Sequence, residues 1–199
     1  MRDAGGQAAV RRSVACNLGV AYARINAMSS QPRIVLIGMM GAGKTTIGHA
    51  ISQLTGWPYV DNDEVVAEIA GMPTRDLLEQ RGEKAMRDAE FAAVDKVLAM
   101  PSPVVAGAAA GVVLDEEVSA RLHAGAFVVY LRATVETLEA RVAGIDAARL
   151  GADPGAAMRK LYEGREARYE KLAHVIVDVD NGVPDEVAKR ILEAAIEHG

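Results

Sequence analysis

The residues with the clearest chemical meaning are Gly38-Met39-Met40-Gly41-Ala42-Gly43-Lys44-Thr45-Thr46. Glycines at this spacing let successive backbone N–H groups turn inward without Cβ clashes, so that they surround phosphate oxygens. The lysine carries a positive charge to the β- and γ-phosphates of a nucleotide, and the next hydroxyl, on Thr45, suits a Mg²⁺ ion. An apolar run, Ile34-Val35-Leu36-Ile37, precedes the loop, and a helical pattern of Ile47, Ile51 and Leu54 follows it. Strand, glycine loop and helix is the setting in which G-x-x-x-x-G-K-[ST] is a phosphate loop. The helix N-terminus adds a partial positive charge. This points to ATP with Mg²⁺, and to Gly41, Ala42, Gly43, Lys44, Thr45 and Thr46 as the residues that bind them.

Two more clusters carry charge at informative spacing. Asp61-Asn62-Asp63 closes the second predicted strand. In extended backbone, positions i and i+2 share a side, so both carboxylates could face the phosphate loop. The competing reading is that Asn62 or Asp63 caps the helix that follows. The predicted strands at 103–106 and 126–131 end without a carboxylate, which leaves Asp61 as the nearest helper for a metal–nucleotide site and Asp178 as its competitor. Glu83, Arg87 and Glu90 stand at i, i+4 and i+7 on one helix face. They read either as a solvated ladder of ion pairs or as an arginine held by carboxylates, with its planar fork aimed at an anionic substrate.

The elements that must position these residues alternate. Short apolar strands are predicted at 33–37, 58–60, 103–106, 126–131 and 174–177. Helices are predicted at 44–55, 64–70, 74–80, 83–100, 116–123, 135–142, 156–168 and 184–197. The alternation implies an α/β domain over residues 32–199, with a five-stranded parallel sheet covered on both faces. Ligands then gather at the carboxyl ends of the strands. Residues 1–31 hold Arg2, Arg11, Arg12 and Arg24 against a single acid, Asp3. They read as a mobile extension, with a targeting segment as the alternative.

Composition narrows the partners. A net charge of −5 gives no electrostatic footprint for nucleic acid. No apolar run approaches the ~18 residues that a membrane span needs. One cysteine, Cys16, excludes an intramolecular disulfide and suits the reducing cytoplasm. His49, His123, His174 and His198 are scattered and show no metal-ligand spacing. Trp57, beside Pro58, reads as core packing. The expectation is a monomer that works on small molecules.

The motifs together resemble a family. Residues 38–46, Asp61-x-Asp63 and Gly82-Glu83-x-x-Met86-Arg87-x-x-Glu90 follow the order and spacing of shikimate kinases. Leu138-Glu139-x-Arg141 and Arg165-x-x-x-Tyr169-x-x-x-Ala173 extend the likeness over residues 33–192. The resemblance implies a P-loop fold like that of nucleoside monophosphate kinases, with a mobile lid near 144–156. It also implies transfer of the ATP γ-phosphoryl group to a hydroxyl of shikimate. By the same resemblance, Lys44, Thr45 and Thr46 bind phosphates and magnesium, and Asp61 assists the metal through water. Asp63 takes the accepting hydroxyl as its base, while Arg87 and Arg165 grip the substrate carboxylate. Gly107, Ala108 and Ala109 line the acceptor site. Arg141 lies against the adenine, Asp180 joins the nucleotide site, and Arg149 is the catalytic arginine of the lid.

The chain departs from the family pattern on the acceptor side. Three consecutive glycines are replaced within Gly107-Ala108-Ala109-Ala110-Gly111. An alanine forced to φ > 0 costs on the order of 1 kcal/mol, and its methyl would crowd a substrate ring. Leu78 and Met86 stand where the family has aromatic residues, and Ala148-Arg149-Leu150 stands where the lid has Arg-Pro-Leu. Three alternatives therefore remain open at this point. One is a kinase for another hydroxy acid or polyol such as gluconate. The others are a nucleoside monophosphate kinase and a catalytically weak ATP-binding paralogue.

Overall fold

Strand β1 (Arg33–Ile37) is apolar from Ile34 to Ile37 because that part is buried on both faces, and the rest of the domain is arranged around it. The computed structural model describes residues 32–143 and 153–198. The extension, most of the expected lid and its Arg149 lie outside the described residues. The other strands are β2 (Tyr59–Val60), β3 (Val104–Gly107), β4 (Phe127–Arg132) and β5 (Val175–Asp178). They form one parallel sheet in the order β2-β3-β1-β4-β5. Val35 is level with Ala106 on one side and with Val128 on the other, which brings the carboxyl ends of β1, β3 and β4 to one edge. Ile34, Leu36 and Ile37 are fully buried, and each such side chain contributes about 1.5–3 kcal/mol relative to exposure. Trp57 is buried at the entry to β2, as expected.

Helices α1 (Lys44–Thr55), α2 (Asn62–Ala70), α3 (Thr74–Ala99), α4 (Glu116–Gly125) and α5 (Val135–Val142) follow in the first part of the chain. The second part adds α6 (Pro154–Glu163), α7 (Glu166–Leu172) and α8 (Pro184–His198). Helix α3 runs through the two helices expected at 74–80 and 83–100. Its backbone leaves helical geometry at Gly82, with φ 79° and ψ 179°, so the two segments are joined by a kink. Val65, Val66, Leu77, Ala89 and Ala93 form a second, smaller core, which pins α2 to α3 and so sets the position of Arg87 and Glu90.

Two expectations about helices need correction. The single helix expected over 156–168 is divided into α6 and α7 at Gly164 and Arg165. Arg165 takes the N-cap position of α7 with φ −124°, and this break turns its side chain toward the sheet edge instead of along a helix surface. Helix α2 starts at Asn62, and its cap is Asp61, not Asn62 or Asp63.

Three of the four histidines are not scattered in space. His123 stacks on His174 at 4.1 Å between ring centroids, and His198 meets the edge of His174 at 4.8 Å. Among the described residues no group of three or more potential ligands is placed to hold a metal ion. His174 Nδ1 accepts the Val128 N–H at 3.0 Å, so this nitrogen must stay unprotonated. Burial pushes the His174 pKa below its ordinary value, and His123 and His198 push it the same way. Between the ordinary and the lowered pKa the unfolded chain binds the extra proton, so stability rises with pH across that window. The melting temperature should therefore fall as pH drops through and below about 6.5. His174→Asn, whose Oδ1 can still accept the Val128 N–H, should flatten part of that fall in a thermal scan from neutral to mildly acidic pH. An unchanged slope would exclude His174 as its source.

Candidate active site

The carboxyl ends of β1, β2 and β3 open into a cleft of about 780 Å³. Its donor side is the loop between β1 and α1. Gly43, at φ 90°, occupies the N-cap of α1, a conformation that a side chain would strain. Lys44 Nζ donates to the Gly38 and Met39 carbonyls at 2.8 and 3.1 Å, which folds the side chain back over the loop. Burial of this ammonium lowers the Lys44 pKa to about 8, while Asp61 and Asp63 oppose the shift and Arg165 adds to it. Gly41, Ala42, Thr45 and Thr46 line the same end of the cleft, as the phosphate-loop motif requires.

Asp61 is both a cap and a site residue. Its Oδ1 accepts the Asp63 N–H at 2.9 Å, and its Oδ2 accepts Thr45 Oγ1 at 2.9 Å and the Tyr59 hydroxyl at 3.2 Å. The two carboxylates share the cleft, but not through the extended i, i+2 pairing expected from the sequence. Asp61 ends the strand segment, and Asp63 reaches the cleft from the first turn of α2. The donor set fits Mg²⁺, a hard ion that takes one or two protein oxygens and draws its remaining ligands from phosphates and water. Thr45 and Asp61 are the residues that would hold it. Asp178, the competing carboxylate, is engaged elsewhere. It pairs with Arg132 through Nε to Oδ1 at 2.6 Å and Nη2 to Oδ2 at 3.1 Å.

Tyr59 belongs to this site, although its sequence context did not single it out. The signal was its position two residues before Asp61 on a strand, where side chains share a side. Its ring packs on Gly48, where an added Cβ would lie 2.1 Å from the ring carbon Cε2. Burial raises the pKa of the Tyr59 hydroxyl far above its ordinary value, so the group stays protonated and donates to Asp61.

The acceptor side is built by α3, the loop after β3, and the start of α7. Arg87, Glu90 and Arg165 all line the cleft, whereas Glu83 is exposed to solvent outside it. The face expected from spacing is therefore split. Arg87 Nη1 is buried and has no hydrogen-bond partner among the described residues. A Cβ on Gly111 would lie 2.9 Å from this atom, so glycine lets the guanidinium sit in this position without shifting. Burial raises the Glu90 pKa above the usual carboxylate range, against the pull of Arg87 and Arg165.

The altered loop starts as an extension of the sheet. The Ala108 N–H donates to the Leu36 carbonyl at 2.9 Å and so continues the parallel ladder one position beyond the Leu36–Gly107 pair. Ala108 is 4% exposed and belongs to the main core, while Gly107 and Ala109 also line the cleft. Met86 lines the cleft, but Leu78 is 44% exposed and does not. At the nucleotide end, Arg141 spans from the Gly41 carbonyl at 3.3 Å to the Val179 carbonyl at 2.7 Å. It thereby joins the phosphate loop to the segment after β5. Asp180 does not bring its carboxylate to the cleft. That group accepts the N–H and the hydroxyl of Thr134, each at 2.8 Å, and only its backbone carbonyl meets Arg141, at 3.1 Å.

A parallel sheet carrying a phosphate loop, two carboxylates beside its lysine, and arginines across the cleft define a P-loop small-molecule phosphotransferase. The family model for shikimate kinase matches residues 40–196. The shikimate kinase of Streptomyces coelicolor is 38% identical over 167 residues, which cover 83% of this chain and 96% of that protein. That of Marinomonas sp. is 34% identical over 86% of this chain and 96% of its own length. Among solved structures, a shikimate kinase from Acinetobacter baumannii in complex with shikimate superposes with a TM-score of 0.76 at 26% identity. It covers 84% of this chain and 94% of its own. The chain belongs to the shikimate kinase family. A gluconokinase from Sinorhizobium meliloti, at 19% identity and a TM-score of 0.58, shares the fold alone.

Proposed function

We propose that this chain transfers the γ-phosphoryl group of ATP to a hydroxyl of shikimate, giving shikimate 3-phosphate. The observation that carries this reading is Arg87 Nη1, buried without a partner among the described residues, on the cleft that Lys44 also lines. A buried, unpaired guanidinium nitrogen costs about 1–3 kcal/mol or more, and an acceptor carboxylate would remove that cost. Arg165 lies on the same side and can take the second carboxylate oxygen.

The residues then divide the work. Arg87 and Arg165 orient the acceptor, so that its hydroxyl lies near Asp63. Asp63 accepts the proton as the hydroxyl oxygen bonds to the γ-phosphorus, and the bond from that phosphorus to the bridging β-oxygen breaks. Lys44 and the loop amides hold the charge that spreads over the phosphoryl oxygens and passes to ADP. Mg²⁺, when bound by Thr45 and, through water, by Asp61, neutralises phosphate charge. The nucleotide base would rest on the side walled by Arg141. The rest of the reading is a monomer acting in the cytoplasm on small molecules.

The test is ADP release against shikimate, quinate, gluconate and nucleoside monophosphates. Turnover should be confined to shikimate, and Arg87→Ala should lower kcat/KM for it by roughly tenfold to a few hundredfold, with the ATP KM little changed. Activity on an uncharged sugar that is insensitive to Arg87→Ala would overturn the assignment.

A further inference from the structure

Tyr169 is a buried polar side chain for which the reaction as derived so far has no use. It is fully buried, and its ring stacks on Tyr130 with centroids 4.9 Å apart. Its hydroxyl donates to the Ala110 carbonyl at 2.6 Å and lies 3.7 Å from Met39 Sδ. Burial raises its pKa far above the ordinary value, against the pull of the Arg165 guanidinium beside it, so the hydroxyl keeps its proton and remains a donor.

Ala110 belongs to the loop that lines the acceptor site, and its carbonyl has a second suitor. Arg165 Nη1 approaches the same oxygen at 3.4 Å, at the long limit for such a bond. Tyr169 and Arg165 lie one helical turn apart, with Arg165 capping α7 and Tyr169 inside it. One carbonyl therefore meets a short bond from a neutral phenol and a long one from the guanidinium assigned to the acceptor.

We propose that Tyr169 is a positioning residue for the acceptor site: by satisfying the Ala110 carbonyl, it leaves the Arg165 guanidinium available to the acceptor's carboxylate. A buried carbonyl without a partner is costly. If the phenol hydroxyl is removed, Arg165 is the nearest donor and is drawn down onto the loop. It then has to be pulled off again when the acceptor binds. The inference rests on Arg165 being an acceptor residue, as proposed above.

The experiment compares Tyr169→Phe, Arg165→Ala, the double variant, and Tyr130→Phe. Phenylalanine keeps the ring stack, so the fold should be retained, which the melting temperature checks. Tyr169→Phe should raise the shikimate KM by about tenfold and change kcat and the affinity for an ATP analogue less than about twofold. In the Arg165→Ala background the same change should have no further effect on the shikimate KM, because there is no guanidinium to divert. Tyr130→Phe removes the hydroxyl of the other ring in the stack, which lies against Tyr162 and not Ala110, and it should leave the shikimate KM unchanged. A normal shikimate KM in Tyr169→Phe would overturn the proposal. So would an equal rise in the Arg165→Ala background, or an equal rise in Tyr130→Phe. If Arg165→Ala alone leaves the shikimate KM unchanged, it is the acceptor role of Arg165 that fails.

Discussion

Replacing Lys44 with alanine is expected to lower kcat by about a hundredfold to a thousandfold, the loss seen when one preorganised charge donor is removed from a developing anion. The melting temperature should change little or rise. In the free protein the ammonium is drawn from water to the Gly38 and Met39 carbonyls, and burial disfavours its charge. A second readout separates this role from general damage. The Lys44 pKa in the free protein is about 8, lowered from 10.5 by burial. Phosphates favour the protonated form, so above pH 8 nucleotide binding must take up a proton. The affinity for an ATP analogue, measured by calorimetry, should weaken as pH rises from 7 to 9, and Lys44→Ala should lack this dependence. A well-folded Lys44→Ala variant with near-normal turnover would remove Lys44 from the chemistry. An affinity that stays flat between pH 7 and 9 would place its proton elsewhere.

Asp63→Asn is expected to act on kcat more than on KM. The side chain lines the cleft between the two halves of the reaction. It is close enough to Lys44 to raise that pKa and close enough to Glu90 to raise that one as well. An amide can still hydrogen-bond the acceptor, so binding should survive, but it cannot take the hydroxyl proton. Loss of a general base typically costs about 10²–10⁴ in rate. Steady-state kinetics with shikimate should therefore show kcat reduced by about that factor, with the shikimate KM changed only a few-fold. If kcat is retained and KM rises alone, Asp63 is a binding group and the proton leaves by another route. Because Asp61 holds the Asp63 N–H, Asp61→Asn provides the contrast, with its main effect on the Mg²⁺ requirement.

The donor half of the site was legible from residue types alone. Glycines at fixed spacing before Lys44 and Thr45, between an apolar strand and a helical pattern, leave the backbone few alternatives. The contacts that make the loop work, from Lys44 to Gly38 and Met39, span at most six residues. The parallel sheet followed equally directly, because strands buried on both faces read as short unbroken apolar runs. The resemblance added names and roles to the positions from Asp61 to Arg165.

What the sequence left open depended on contacts between distant segments. The cap was expected at Asn62 or Asp63, yet Asp61 takes it: its Oδ1 accepts the Asp63 N–H while its Oδ2 meets Thr45 Oγ1, and only the packing of β2 against α1 shows it. Along the chain Asp178 competes with Asp61 for the metal, and the resemblance puts Asp180 at the nucleotide. Both are engaged elsewhere, by Thr134 and by Arg132, more than forty positions away. The spacing of Glu83, Arg87 and Glu90 established a shared face, but not which end of it meets the cleft. The second core under α3 decides that, leaving Glu83 in solvent and Arg87 half-buried, with its Nη1 against Gly111. Ala108 was read as a source of strain because one-dimensional comparison counts a missing glycine. In three dimensions it is one more residue of a ladder with β1. The clustering of His123, His174 and His198 is invisible in a sequence that spreads them over seventy-five positions. Local geometry is written in residue type and spacing. Which polar group finds which partner depends on how the sheet order folds the chain back on itself.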